Sequence, residues 1–219
     1  MTSKTTQDLR TRERLVQVAA ELFATRGFER VTVREICTAA RANVAAVNYH
    51  FGDKAGLYRA VVQVAIQVMR ETSDLSMEAG RGASSEEQLR AYVRVFLSRL
   101  TGKDRLSWIH KLMNREMENP GEALRLVVRE VMEPRLQHLG RLVADIAGLP
   151  ATDPRVLRAV LSIQGQILLF ARPLTPRIPQ VWTRLLADTA ATAEHIANFS
   201  LAAVKELARS EPCDPPITQ

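Results

Sequence analysis

Apolar residues recur every three or four positions along almost the whole chain. The breaks fall at Gly27, Gly52, Gly80 with Gly82, Pro120, Gly148 with Pro150, and the cluster Pro173, Pro176 and Pro179. No stretch alternates as a half-buried strand would, and no segment repeats. The pattern predicts an all-α chain of about nine helices.

The first predicted helix, residues 10–26, sets Leu15, Val18, Ala19, Leu22 and Phe23 on one face, and Gly27 suits the left-handed position just past its end. The second opens with a full set of start signals: Thr32 as N-cap, Glu35 three residues on to complete a capping box, and Val31 with Ile36 in the two staple positions. It extends only to about Ala40. After a short turn at Arg41 and Ala42, Asn43 caps a third helix that ends near His50, before Gly52, and Asp53 caps a long fourth helix. Two short helices joined by a tight turn and preceded by a longer one predict a helix-turn-helix.

The third helix, within "NVAAVNYHFGDKAGLY", carries side chains too small to build a core and too apolar for a solvated loop. Eight residues make a rod of about 12 Å, which suits the width of a DNA major groove. Ala45 and Ala46 allow close approach to base edges, while Val47 and Phe51 point inward. Asn48 pairs in principle with an adenine edge; Tyr49, His50 and Lys54, near the helix end, suit phosphates, as does Thr32 at a helix N-terminus. Each has a plainer reading: Asn43 as a cap only, Tyr49 and His50 as core closure, Lys54 as a solvated charge, Asn48 against a phosphate.

The chain of 219 residues is 46% hydrophobic, enough for a substantial core. Its net charge of +6 is uneven: residues 1–60 hold ten Lys/Arg against six Asp/Glu, the remainder twenty against eighteen. The basic excess in the first quarter favours a polyanion such as DNA. Cys37 and Cys213 have neither a disulfide framework nor metal-ligand spacing, and no metal or cofactor is expected. No apolar run reaches eighteen residues and the first residues are polar, so the expected location is cytoplasmic, with no membrane partner.

The run "LVQVAAELFATRGFERVTVREICTAARANVAAVNYHFGDKAGLY" resembles the N-terminal DNA-binding domain of the TetR family of transcriptional regulators, without a gap over about residues 11–58. The resemblance implies that Thr32, Tyr49, His50 and Lys54 grip phosphates and that Asn43, Val44, Ala45, Ala46 and Asn48 face bases. Three positions depart from the family pattern. Arg41 stands where glycine is usual, which offers a further phosphate contact; Ala42 replaces the usual valine, and Asn48 a common tyrosine. The implied organisation is an unstructured arm at 1–9, a helix-turn-helix domain at 10–53, a larger helical ligand-binding and dimerisation domain at 54–209, and an unstructured tail at 210–219.

Residues 154–171 are apolar on nearly every side, and the last helix, about 184–208, is rich in alanine. Leu157, Leu161, Leu168, Ala190 and Ala197 are therefore dimer-interface candidates; the alternative is that both helices only complete a monomer's core. A dimer sets two recognition helices about 34–36 Å apart, or a multiple, and predicts an inverted-repeat operator in double-stranded DNA. For a ligand, advancing about 100° per residue from Ile109 puts Leu112, Met113 and Glu116 at about 300°, about 40° and about 340°, so a carboxylate sits in an apolar face. Gln164 falls likewise near Leu157, Val160 and Leu168, and Trp108, Met113 and Met117 offer adaptable walls. Pairing of Glu116 with an arginine such as Arg105, or of Gln164 with backbone, is the structural alternative. Pro134 should kink or break its helix.

The expected function is a homodimeric repressor whose DNA affinity falls when a small, partly apolar effector binds. The rivals are a DNA-binding regulator controlled by a protein partner or by abundance, a sequence-neutral DNA-compacting protein, and a helical enzyme. Against the last, His50, His110, His138 and His195 form no HExxH or triad pattern, and no phosphate-cradling glycine loop is present.

Overall fold

The computed structural model describes residues 2–102, 107–118, 120–171, 187–207 and 209. These hold α-helices and no strand: α1 (Thr2–Arg26), α2 (Val33–Ala39), α3 (Val44–Phe51), α4 (Lys54–Glu78), α5 (Ser85–Thr101), α6 (Ser107–Glu118), α7 (Glu122–Val127), α8 (Glu133–Ala147), α9 (Pro154–Phe170) and α10 (Thr189–Leu207). A π-helical turn, Val128–Met132, joins α7 to α8 without a break.

Two sequence-based expectations change. The segment expected to be an unstructured arm is the start of α1, which begins at Thr2. Residues 2–9 hold no glycine or proline, the packed turns after Leu15 supply a nucleus on which helix propagates, and the Thr11 hydroxyl donates to the Gln7 carbonyl at 3.0 Å. The distortion expected at Pro134 lies one turn earlier, in the π turn. Proline removes one donor and crowds the carbonyl four residues back, here Glu130, and a locally wider turn accommodates both effects. The Pro173–Pro179 cluster and the 210–219 tail lie outside the described residues.

The chain divides into two compact units, residues 1–69 with 103–130, and residues 70–102 with 131–219. This differs from the expected division after residue 53. Leu57 and Val61 of α4 and Leu112 of α6 bury in the same core as Leu15, Ala19, Phe23, Val31, Ile36 and Val47. The first unit therefore contains the helix-turn-helix and also α6, which packs along α1. Phe23, Phe28 and Tyr58 form an aromatic cluster at its centre, with ring centroids 5.0–5.8 Å apart.

In the second unit α5, α8, α9 and α10 enclose Tyr92, Phe96, Leu139, Val143, Val160, Ile163, Ile167, Ile196 and Leu201. A second capping box, Ser84 with Glu87, starts α5.

Because Leu112 fills the first unit's core from a helix far along the chain, Leu112→Ala should destabilise that core by about 2–5 kcal/mol. A fall in the urea midpoint monitored at Trp108, the neighbouring half-buried indole on α6, checks this; no change would show that α6 is not part of the unit.

Candidate nucleic-acid interface

Local grammar builds the site. At the start of α2 the Glu35 N–H donates to the Thr32 hydroxyl oxygen at 3.3 Å, while the Thr32 N–H and hydroxyl both donate to Glu35 Oε2, at 2.8 and 2.7 Å. Arg26 Nη1 lies 2.8 Å from the other carboxylate oxygen. The Thr32 hydroxyl first, then its N–H and Arg26, hold the Glu35 carboxyl down to about 2. Val31 and Ile36 are fully buried as a staple.

The turn after α2 is a Schellman closure. The Ala42 N–H donates to the Cys37 carbonyl at 2.9 Å and the Arg41 N–H to the Thr38 carbonyl at 3.2 Å. Arg41 occupies the left-handed position at φ 49°, where glycine is the unstrained choice. Arg14 Nε donates to the Ala40 carbonyl at 2.6 Å and braces the turn from α1. A surface depression beside it is lined by Arg34, Cys37, Thr38, Arg41, Ala42, Asn43 and Val44.

Asn43 then caps α3, its side-chain oxygen accepting from the Ala45 N–H at 3.0 Å. Val47 is buried, and Ala46 and Phe51 pack on the core. This leaves Val44, Ala45, Asn48 and Tyr49 outward, a single stripe at spacings of one and four. Tyr49 is 77% exposed. Its ring touches His50 edge-on, with centroids 4.9 Å apart.

The remaining basic candidates are tied into the fold. His50 Nε2 stands 3.3 Å from the Asp8 carboxylate, an ion pair only when the ring is protonated, and its side chain is largely covered. The Lys54 ammonium donates to the Phe28 and Val31 carbonyls at 3.1 and 3.2 Å and lies 4.3 Å from the Phe28 ring centre. One of its three donors remains for another acceptor. Asp53 caps α4 through the Gly56 N–H at 2.6 Å. A Cβ on Gly56 would sit 1.9 Å from the Phe51 carbonyl oxygen, so only glycine permits this junction. Sequence reading did not single out Gly56; its signal was a glycine in the first turn of an otherwise good helix.

Family and structural comparisons agree with this geometry. Residues 15–61 match the family of bacterial regulatory proteins, tetR family, and residues 85–204, more than half the chain, match the C-terminal domain of the HTH-type transcriptional dual regulator CecR. The chain belongs to the TetR family. It is 32% identical over 168 residues to the HTH-type transcriptional dual regulator CecR of Shigella flexneri, covering 73% of this chain and 74% of that one. It is 23% identical to the probable HTH-type transcriptional regulator YttP of Bacillus subtilis (strain 168), over 82% of this chain and 95% of the relative. A solved tetR-family regulatory protein from Rhodococcus RHA1 shares the fold at a TM-score of 0.68 and 16% identity, covering 89% of this chain and 96% of that chain. The TetR-family protein described here is thus a DNA-binding transcriptional regulator and not an enzyme. Among its described residues, no helix is long and apolar enough to cross a membrane.

The TetR-family chain distributes its ligand candidates between the units. Trp108 and Met113 lie against the first unit's core, and Met117 is exposed. Glu116 accepts a short hydrogen bond from the Tyr58 hydroxyl, whose ionisation is pushed up by burial and by that carboxylate. Gln164 is buried in the second unit and accepts from the Tyr92 hydroxyl at 3.0 Å. Arg105 lies outside the described residues. Arg115, which the sequence did not flag, donates from Nε to the Ala24 carbonyl at 3.0 Å and from Nη2 to the Thr25 carbonyl, so α6 neutralises the end of α1. Of the interface candidates, Leu157, Leu161 and Leu168 stand on one exposed face of α9 and Ala190 is exposed on α10, whereas Ala197 is enclosed in its own unit's core.

Replacing Arg41 by glycine should leave stability unchanged or raise it by up to about 1 kcal/mol, since relief of the left-handed strain outweighs the greater freedom of unfolded glycine. Urea titration checks it. The Glu35 carboxyl, depressed in the folded state, contributes stability that is present above the ordinary glutamate range and is lost as pH falls through about 2. Glu35→Gln should therefore show a flatter fall in thermal midpoint than wild type between pH 5 and pH 2; parallel curves would remove the capping carboxylate from the pH response.

Proposed function

We propose that the chain is a cytoplasmic, homodimeric repressor that holds an inverted-repeat operator through α3 and is released by a small, partly apolar effector. The observation that carries the DNA-binding part is the outward stripe of Val44, Ala45, Asn48 and Tyr49, held rigid by caps and staples and flanked by the exposed guanidinium of Arg41. Small apolar side chains approach thymine methyls and base edges, Asn48 supplies paired donor and acceptor for adenine, and Tyr49 and Arg41 reach phosphates. Lys54 and Thr32 act first by fixing the helix-turn-helix, with one ammonium donor left for the backbone.

The dimer is supported by the unpartnered apolar face of α9, where Leu157, Leu161 and Leu168 follow one helical stripe, with Leu161 63% exposed. Gly165 lies between them with nothing near its missing Cβ, which allows a second helix close approach. Effector control is supported by the buried polar pair Tyr92 and Gln164 in the second unit. Within the first unit, the Tyr58–Glu116 bond and the Arg115 clamp tie α6 to α4 and α1, so a displacement of α6 would reach the recognition helix only by disturbing its supports. An effector acts through such a path only by binding the two states unequally.

Binding to the promoter upstream of the chain's own gene, with random DNA as competitor, tests the reading. Wild type should bind specifically and more weakly as salt rises; Asn48→Ala should cost about 1–3 kcal/mol and relax one operator position, while Tyr49→Ala and Arg41→Gly should weaken all sequences, Arg41→Gly lowering the salt slope by about 1. Unaltered binding in all three variants would move the interface off α3. Leu161→Glu should sediment as a monomer and lose operator affinity with its fold intact; a persistent dimer would overturn the α9 interface. A promoter fusion in cells with and without the gene decides the sign of regulation.

A further inference from the structure

The second unit buries a positive charge that nothing in the described chain neutralises. Arg135 on α8 is 5% exposed, and its Nε has no hydrogen-bond partner. Among the described residues no carboxylate pairs with it. Its guanidinium carbon lies 4.5 Å from the centre of the Phe96 ring, and Phe96 in turn sits 5.7 Å, centroid to centroid, from Tyr92. Ring faces stabilise a cation only partly. Burial pulls the Arg135 ionisation downward, and the neighbouring Tyr92 is the group that opposes this.

The residues around it leave a pattern of spare donors. The Tyr92 hydroxyl gives its proton to Gln164 Oε1, so that side chain's acceptor is filled while its Nε2, 6% exposed as a residue, has no partner. Arg135 Nε and Gln164 Nε2 are thus two buried N–H donors, linked through one tyrosine, with no acceptor in the protein. Buried donors left unfilled are strongly unfavourable, and a site that offers only donors and one positive charge is complementary to an anion. The surroundings, Phe96, Leu139, Ile163 and Ile167, are apolar, which suits a singly charged head on a hydrocarbon body better than a doubly charged phosphate.

We propose that Arg135, Gln164 and Tyr92 form the anion-recognising end of the effector site, and that the effector is a monoanionic carboxylate with an apolar body. The carboxylate accepts from Arg135 Nε and from Gln164 Nε2, and Tyr92 holds the Gln164 amide in the orientation that presents its nitrogen. The inference rests on the effector control proposed above and adds the charge of the ligand to it.

The test titrates the full-length dimer with formate, acetate, benzoate and octanoate, with benzamide and octanamide as neutral counterparts, and with inorganic phosphate. Thermal midpoint and calorimetric affinity are read on wild type, Arg135→Met and Gln164→Leu, and benzoate and octanoate are also tested for release of promoter DNA. Carboxylates should raise the wild-type midpoint, their amides should not, and Arg135→Met should weaken carboxylate binding by about 30-fold or more. Without ligand, Arg135→Met should melt above wild type, because it removes an unpaired buried charge at similar volume; this shows that the variant is folded. Equal stabilisation of wild type and Arg135→Met, tighter binding of amides or phosphate than of carboxylates, or no response to any carboxylate would overturn the proposal. Amides that bind and release DNA would remove the anion while leaving effector control in place. Carboxylate binding that never alters DNA affinity would keep the anion site and remove the control.

Discussion

Everything at the DNA-reading end depends on how the chain satisfies the carbonyls between α1 and α2. That turn leaves the Phe28 and Val31 oxygens facing inward, and the ammonium of Lys54, the first residue of α4, accounts for both while lying on the Phe28 ring. A single cation therefore locks the entry of α2 to the start of α4, and α3 is strung between the two. Arg14 closes the other side by holding the Ala40 carbonyl, and Arg115 the end of α1. Three basic residues that look like solvated charges in the sequence each serve backbone oxygens. The positive charge left for a nucleic acid is correspondingly smaller than the composition suggests, and it is concentrated at the turn around Arg41.

What the sequence revealed, it revealed where the physics is local. The capping box of Thr32 and Glu35, the Val31–Ile36 staple and the Asn43 cap involve residues at most five apart, and all are present as read. The outward stripe of α3 was legible because small apolar residues on a short capped helix have few other uses. Glu116 shows the opposite case. Its place on an apolar face was correct, but an apolar face does not say which core it enters, and its partner Tyr58 stands 58 residues away. Arg135 gave no signal at all, because beside Glu133 and Pro134 it reads as an ordinary helix charge until α5 and α9 are placed around it. Ala190 and Ala197 fall on the same helical face, yet only Ala197, further from the start of α10, is covered.

Two kinds of polar burial thus coexist. In the first unit the buried or half-buried polar groups close on one another: Tyr58 on Glu116, Arg115 on carbonyls, Glu35 on its own cap. In the second, Tyr92 closes on Gln164 and leaves donors over, with a guanidinium beside them. A satisfied network fixes one conformation, whereas an unsatisfied one stays sensitive to what fills it. The contrast assigns rigidity to the part that reads DNA and responsiveness to the part that does not.

The π turn at Val128–Met132 carries a consequence for the history of the chain. A π turn holds one residue more than the α-helix it interrupts, so it behaves as a one-residue insertion inside a continuous helix. Every position of α8, Arg135 included, takes its angular phase from that extra residue, which shifts the helix face by about 100° relative to an uninterrupted run. In an alignment of relatives, chains lacking the wide turn would show a single gap within 128–132, and they would have no steric reason to keep a residue accommodating Pro134. Insertion and proline would then be gained or lost as a pair, and the face on which Arg135 lies would be inherited with them.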